Sequence, residues 1–290
     1  MINDTRKKKL EKGKLVPMIF DYVFTSIFNK ESNIAIVENF LSCYFDLPLE
    51  EVKGNVVILP RELELENKHT ANKQVDLVLK LGSKKINIEL STRMSEGIMN
   101  RNIVFACNVH SRSYKYGEND YSNIESTIQV NLIYDKRYHG NAKLKETYYL
   151  RDEKGNILSE NFRIDVLDME KGTRMCYTDR ETKLARWCKA FVSETVEEFE
   201  EAIGEIMEEN TKEQLKEEVM KYSQDEEVIA LYSAYTKEEL ERNTLINDAK
   251  KEGLKEGKIA IVQNMLKKNM DISVISEISG LSEEEIEGLK

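Results

Sequence analysis

Two neighbouring segments, residues 74–81 and 84–91, alternate apolar and polar side chains. Such alternation is typical of half-buried β-strands, and the Gly82-Ser83 pair between the segments suits a two-residue turn of type II′. The pattern therefore predicts a β-hairpin with its aliphatic side chains on one face.

The turn also determines which residues lie opposite each other in the predicted hairpin. The expected pairs are Leu81 with Lys84, Leu79 with Ile86, Leu77 with Ile88, Asp76 with Glu89, and Gln74 with Ser91. Opposed side chains have Cβ atoms roughly 5 Å apart, so Asp76 and Glu89 repel unless a cation lies between them. A hard divalent cation is the usual occupant of such a pair. The same spacing also fits an ordinary solvated strand face, where Asp and Glu are common.

The flanking chain predicts helices before and after the hairpin. Apolar residues at helical spacing indicate helices near residues 20–28, 31–45 and 95–115, and alternation indicates strands near 124–134, 148–150 and 162–167. This order predicts an α/β fold, with a mixed central sheet flanked by helices and an α-helical C-terminal region.

Five features together resemble the PD-(D/E)XK nuclease superfamily, and more narrowly its transposase-like, recombination-promoting nuclease family. They are the segment from Asp21 to Phe28, Asp76, the strand Ile88-Glu89-Leu90-Ser91, Arg101, and a Gly-punctuated helical C-terminus. The resemblance implies a restriction-endonuclease-like fold, Mg²⁺ or Mn²⁺ as cofactor, and DNA as substrate.

The resemblance also implies roles for individual residues. The implied metal ligands are Asp76, Glu89, the carbonyl of Leu90, and Asp21. Ser91 stands where the family usually has Gln and the superfamily has Lys, a residue that orients or polarises the attacking water. Because Gln74 is expected opposite Ser91, it is a candidate for the missing amide. The candidate catalytic set is therefore Asp76, Glu89, Ser91 and Gln74, with Arg93 and Lys73 as further substitutes.

A polar stripe lies on the helix predicted after the hairpin. Arg101, Asn108, Arg112 and Lys115 are spaced i, i+7, i+11 and i+14, which places them along one side of a helix. Such a stripe beside a carboxylate hairpin suits contacts to nucleic-acid phosphates. A charged outer helix face is the alternative interpretation.

Charge divides the chain unevenly. Residues 1–190 contain 31 Lys and Arg against 27 Asp and Glu, whereas residues 191–290 contain 12 against 26. Only the first part is electrostatically suited to a polyanion. No apolar run is long enough to span a bilayer and the N-terminal residues lack a signal-like apolar region, so we expect a cytoplasmic protein without membrane contact.

The C-terminal part predicts two helical pieces after the nuclease-like domain. The expected division is 1–180 for that domain, 181–243 for a helical subdomain and 244–290 for a helix-turn-helix-like tail. The last predicted helix presents Glu283, Glu284, Glu285 and Glu287. Acidic side chains oppose phosphate binding, so a self-association or regulatory module is favoured over a DNA-reading role for the tail, and a homodimer through the C-terminal helices is one such arrangement.

The leading hypothesis is a metal-dependent DNA endonuclease of the recombination-promoting, transposase-like type. The alternative is a catalytically degenerate nuclease fold that acts as a DNA-binding or protein-interaction module, because Ser91 replaces the usual Gln or Lys. A third interpretation, a structural assembly protein, depends on the long acidic helices alone.

Overall fold

The computed structural model describes residues 10–63, 73–113, 124–138, 143–176, 178, 182–204 and 206–289. The described helices are α1 (Asp21–Phe28), α2 (Ile34–Phe45), α3 (Leu49–Val52), α4 (Glu96–Ser111), α5 (Met169–Met175), α6 (Lys183–Val192), α7 (Val196–Ile203), α8 (Glu209–Gln224), α9 (Glu226–Lys267), α10 (Ile272–Ser279) and α11 (Glu283–Glu287). The described strands are β1 (Val56–Leu59), β2 (Glu62–Leu63), β3 (Lys73–Gln74), β4 (Leu77–Leu81), β5 (Lys84–Ser91), β6 (Ser126–Ile133), β7 (Lys145–Tyr149) and β8 (Phe162–Asp168).

Six strands form a mixed sheet in the order β1-β4-β5-β6-β8-β7, and β2 pairs with β3 separately. The strands β5, β6 and β8 run parallel, whereas β1, β4 and β7 join by antiparallel pairing. Gly82 has a φ of 58° and begins the β4–β5 turn, a backbone conformation that glycine adopts without a Cβ clash. The predicted mixed sheet, its flanking helices and the helical C-terminal region are confirmed.

One face of the sheet is apolar. The pairing places Leu77, Ile88 and Val130 in a row on this face, and all three are buried. Aromatic side chains of α1, α2 and α6 form a cluster of their own, with Phe28 in ring contact with Phe24, Phe40, Trp187 and Phe191. Tyr44 of α2 connects these helices to the apolar face, since its hydroxyl lies 3.3 Å from Asp165 Oδ2 on β8. This core carries most of the large buried side chains.

The other face is polar and lies beneath α4. Asn87 of β5 is paired with Gln129 of β6, and Glu89 is paired with Asn131, so these four side chains point the same way. All four are buried, because α4 packs on β5 and β6 with Phe105 and Val109 turned inward. The plainer interpretation of this strand face as solvated is therefore wrong: a helix covers it.

The C-terminal part beyond Ile229 forms its own compact unit. Val262, Ile275 and Ile286 make a small core there, and Ser282 and Glu285 form the capping box that opens α11. The helix α9 runs without interruption through residues 243 and 244, so no break in secondary structure marks the predicted boundary at this point. No helix in the described parts of the chain is both long enough and apolar enough to cross a bilayer.

Candidate active site

The β4–β5 hairpin brings Asp76 and Glu89 together. The predicted register is confirmed from Leu81–Lys84 to Leu77–Ile88. The ladder ends with this pair, so Asp76, which precedes Leu77, lies just outside it. The Asp76 carboxylate instead contacts the backbone of β5, where its Oδ2 accepts a hydrogen bond of 2.8 Å from the Leu90 N–H. The Asp76 N–H donates to Glu89 Oε1 over 3.3 Å. The two carboxylates therefore share one end of the hairpin.

Both carboxyl groups resist ionisation. Glu89 is only 2% exposed, and burial, reinforced by the charge of Asp76, raises its pKa to about 8. Burial likewise raises the pKa of Asp76 to about 6, and the charge of Asp21 adds to that increase. Groups with shifts of this kind are concentrated at functional sites. A cation beside such a pair of carboxyl groups would favour their ionised forms.

The first helix contributes to the same place. Asp21 is the first residue of α1, and burial raises the pKa of its carboxyl group, against the opposing charge of Arg61. Asn29, directly after α1, donates from Nδ2 to the Asp76 carbonyl over 2.9 Å. This hydrogen bond ties the C-terminal end of α1 to the hairpin.

Two arginines supply positive charge near the carboxylates. Arg61 donates from Nε to the Val75 carbonyl over 2.7 Å, next to Asp76. Arg101 of α4 places a terminal guanidinium nitrogen 3.7 Å from Glu89 Oε2, and its guanidinium lies 5.6 Å from the centre of the Phe105 ring. Arg101 thus compensates part of the charge on Glu89.

The donor chemistry fits a hard divalent cation. Carboxylate oxygens are the ligands that Mg²⁺ and Mn²⁺ prefer, and half-buried Asp76 and buried Glu89 both have raised pKa values. Within the described residues, however, no group of three or more His, Cys, Asp and Glu side chains is already assembled around a metal position. Asp21 is therefore close enough to act through its charge, but the three carboxylates do not form a closed cluster.

The two residues predicted to replace the missing Gln lie in different places. Gln74 leaves the hairpin ladder, pairs with Glu62 in the separate two-stranded sheet and is exposed, so the predicted opposition of Gln74 and Ser91 is wrong. The hairpin ladder ends at Leu77, which frees the preceding residues to pair elsewhere. Ser91 is buried at the end of β5, where it pairs with Ile133 of β6.

The predicted polar stripe is shorter than expected. The helix α4 ends at Ser111, so Arg112 follows it, and Lys115 lies outside the described residues. Arg101 and Arg112 are exposed, whereas the Asn108 amide donates to the Val104 carbonyl of its own helix over 3.0 Å. Among the described members of the stripe, Arg101 is the one that contacts Glu89.

The polar residues behind Glu89 were absent from the sequence-based set of site residues. Asn87, Gln129, Asn131 and Asn102 are buried side by side beneath α4 and joined by hydrogen bonds. The signal for them was present, because Gln129 and Asn131 alternate with aliphatic residues along β6. Alternation alone does not distinguish a solvated strand face from one that is covered by a helix.

One known protein family matches most of this chain. The family described as PD-(D/E)XK nuclease family transposase matches residues 18–249, which include the hairpin, α4 and the whole six-stranded sheet. No curated protein and no solved structure gives a significant match. The matched range contains every candidate site residue, and the predicted restriction-endonuclease-like fold class is confirmed by the sheet together with this match.

Proposed function

The chain belongs to the PD-(D/E)XK nuclease transposase family, and on that premise we propose that it is a metal-dependent DNA endonuclease that hydrolyses phosphodiester bonds. The observation that carries the proposal is the pair of half-buried Asp76 and buried Glu89 at the end of the hairpin, with both pKa values raised. Two carboxyl groups placed together in this way lower the stability of the folded protein, and a divalent cation between them would compensate their negative charge. The proposed setting is DNA recombination or transposition.

Asp76 and Glu89 would hold Mg²⁺ or Mn²⁺, with the Leu90 carbonyl and Asp21 as the further proposed ligands. When bound, the metal lowers the pKa of a water molecule and neutralises charge on the phosphate. The chain itself contributes orientation: the Leu90 N–H fixes one Asp76 oxygen, and Asn29 fixes the backbone at Asp76. Arg101, beside Glu89 and partly exposed, is placed to contact a DNA phosphate.

The test is cleavage of supercoiled plasmid across Mg²⁺ and Mn²⁺ titrations, with wild type, Asp76→Asn and Glu89→Gln. We expect cleavage by wild type and a loss of at least about 10³-fold in both variants, equivalent to about 4 kcal/mol of transition-state stabilisation. Asp248→Asn, on the exposed surface of α9, is the matched control and should cut like wild type. An intact plasmid at every metal concentration would contradict the proposal.

The second candidate is a degenerate nuclease fold that binds DNA or protein without cutting. It is favoured by Ser91, which occupies the position of the usual Gln or Lys and whose hydroxyl is too short to replace either. Salt-dependent DNA binding without cleavage would support this candidate. Cleavage that depends on Glu89 would exclude it.

We also propose a homodimer through the C-terminal helices. Leu240, Leu254 and Ile261 are exposed on α9 and separated by multiples of seven residues, with Asn247 at the intervening position. This spacing is that of one core position of a coiled coil, in which a single Asn selects register and oligomeric state. Light scattering should therefore give twice the chain mass for wild type and the chain mass for Leu254→Glu. Lys255→Glu is the adjacent charge control, and a monomeric wild type would contradict the proposal.

A further inference from the structure

Arg101 is anchored by the residue that follows it in α4. Arg101 Nε donates to Asn102 Oδ1 over 3.1 Å, and Asn102 Nδ2 donates to Asn131 Oδ1 over 2.7 Å. Asn102 is 0% exposed, whereas the Arg101 side chain is 47% exposed. One amide thus joins a solvent-accessible guanidinium to the buried polar face of the sheet.

The hydrogen bonds continue across that face as far as Asn87, two residues before Glu89 on β5. Gln129 Nε2 donates to the same Asn131 Oδ1 over 3.2 Å, and Asn87 Nδ2 donates to Gln129 Oε1 over 2.7 Å. The Asn87 side chain lies on the same face of β5 as Glu89 and acts to lower the pKa of that carboxyl group. A terminal nitrogen of Arg101 lies 3.7 Å from Glu89 Oε2. We call these six side chains the amide ring: Arg101, Asn102, Asn131, Gln129, Asn87 and Glu89.

The amide ring determines the direction in which each amide points. Asn131 Oδ1 accepts two hydrogen bonds, and its Nδ2 donates to the Asp165 carbonyl over 3.4 Å, so a flip of this amide would break all three. Asn102 must then present Oδ1 to Arg101. A guanidinium held at Nε is rotationally restricted, which directs a terminal nitrogen at Glu89.

The polar layer is not the only contact of α4 on this side of the sheet, because Phe105 and Val109 pack with Val75 and Val78. Apolar side chains cover the opposite face, and buried amides stabilise a protein only when every partner is in place. Two members of the amide ring are charged groups: Arg101, a partly exposed cation, and Glu89, a buried carboxyl group. This arrangement is what a device for placing Arg101 requires.

We propose that Asn102 is a positioning residue that holds Arg101 against Glu89, and that Arg101 competes with a divalent cation for this carboxylate. When the metal ion displaces Arg101 from Glu89, Arg101 supplies a positive charge next to the DNA phosphate. Ser91 cannot supply this charge. The inference rests on the proposed metal-dependent function of the same site.

The test measures Mn²⁺ affinity by electron paramagnetic resonance without DNA, so that cleavage is not the readout. Removal of a competing ion pair in Arg101→Ala should tighten Mn²⁺ binding about threefold. Asn102→Ala should tighten it similarly in the wild-type background and have no further effect in Arg101→Ala, because both substitutions remove the same interaction. Asn100→Ala, an exposed asparagine of the same helix, is the control and should bind Mn²⁺ like wild type.

Three outcomes separate the possible failures. Equal effects of Asn102→Ala with and without Arg101 would overturn the inference, because Asn102 would then act only through the fold. Unchanged Mn²⁺ affinity in Arg101→Ala would overturn it as well, while loss of binding in Glu89→Gln would leave the proposed function standing. Equal Mn²⁺ binding by wild type and Glu89→Gln would instead contradict the metal site. Asn102→Ser, which is smaller and polar, repeats the cycle if Asn102→Ala does not fold.

Discussion

The same strands build two faces of opposite character. On one face Leu77, Ile88 and Val130 are buried among aliphatic and aromatic side chains, and on the other Asn87 and Gln129 are equally buried in a hydrogen-bonded layer. Apolar burial is favourable in proportion to area, whereas buried amides contribute little net free energy and are costly when one partner is lost. The comparison separates a face that stabilises the fold through apolar burial from a face whose order depends on hydrogen bonds between buried amides.

The largest effect is expected in the aromatic cluster. Phe28→Ala removes a fully buried ring from contact with four others, so we expect a loss of about 3–5 kcal/mol in the free energy of unfolding. Urea denaturation followed by circular dichroism measures it. Tyr22→Ala, on an exposed side chain of the same helix, is the control. A loss below about 1 kcal/mol would mean that the cluster collapses around the cavity and is not the main source of stability.

The polar face should respond to the loss of a hydrogen-bonding partner. Gln129→Leu keeps the side-chain volume similar but removes the acceptor of Asn87 Nδ2 and one of the two donors to Asn131 Oδ1. We expect a loss of about 1–3 kcal/mol in the free energy of unfolding. Gln263→Leu, at an exposed position, should change it by less than about 0.5 kcal/mol. A Gln129→Leu protein as stable as wild type would show that the amide layer can be replaced by apolar packing.

The contrast between the faces also explains what sequence reasoning could reach. The hairpin register followed from a two-residue turn and period-2 alternation, both local properties, and it was correct as far as Leu77. It failed at Gln74 because this residue pairs with Glu62 on β2 instead of extending the hairpin. Local rules specify a register only as long as the strand lasts.

The candidate site was likewise predicted only in part from the sequence. Asp76 and Glu89 were identified from their opposition and from family resemblance, and the structure brings them together. The amide ring required knowing that α4 covers the polar face, which depends on the parallel pairing of β5 with β6 across an intervening helix. Nothing in the spacing of Asn102 and Asn131 indicates their hydrogen bond, because tertiary packing creates it.

A smaller effect is expected from the ionisation of Glu89 in metal-free buffer. The pKa of Glu89 is raised from 4.5 to about 8 by burial, so the folded protein keeps a proton that the unfolded chain releases. Stability should therefore fall as the pH rises from about 4.5 to about 8, and Glu89→Gln should lack this loss. We expect Glu89→Gln to gain about 1–2 kcal/mol over wild type across this range, measured by urea denaturation in EDTA. A constant difference between the two proteins would show that Glu89 ionises normally.

The smallest effect is expected at the edge of the polar face, away from the amide ring. Thr127 is buried, and its Oγ1 lies 2.9 Å from His110 Nδ1 of α4. Thr127→Val keeps the shape and the β-branched side chain but removes this hydrogen bond, so the free energy of unfolding should fall by about 0.5–1 kcal/mol. Thr147→Val, at an exposed position of β7, is the matched control. A loss above about 2 kcal/mol would mean that the His110 contact belongs to the same cooperative layer as the amide ring, and the polar face would then be one unit rather than a ring with independent neighbours.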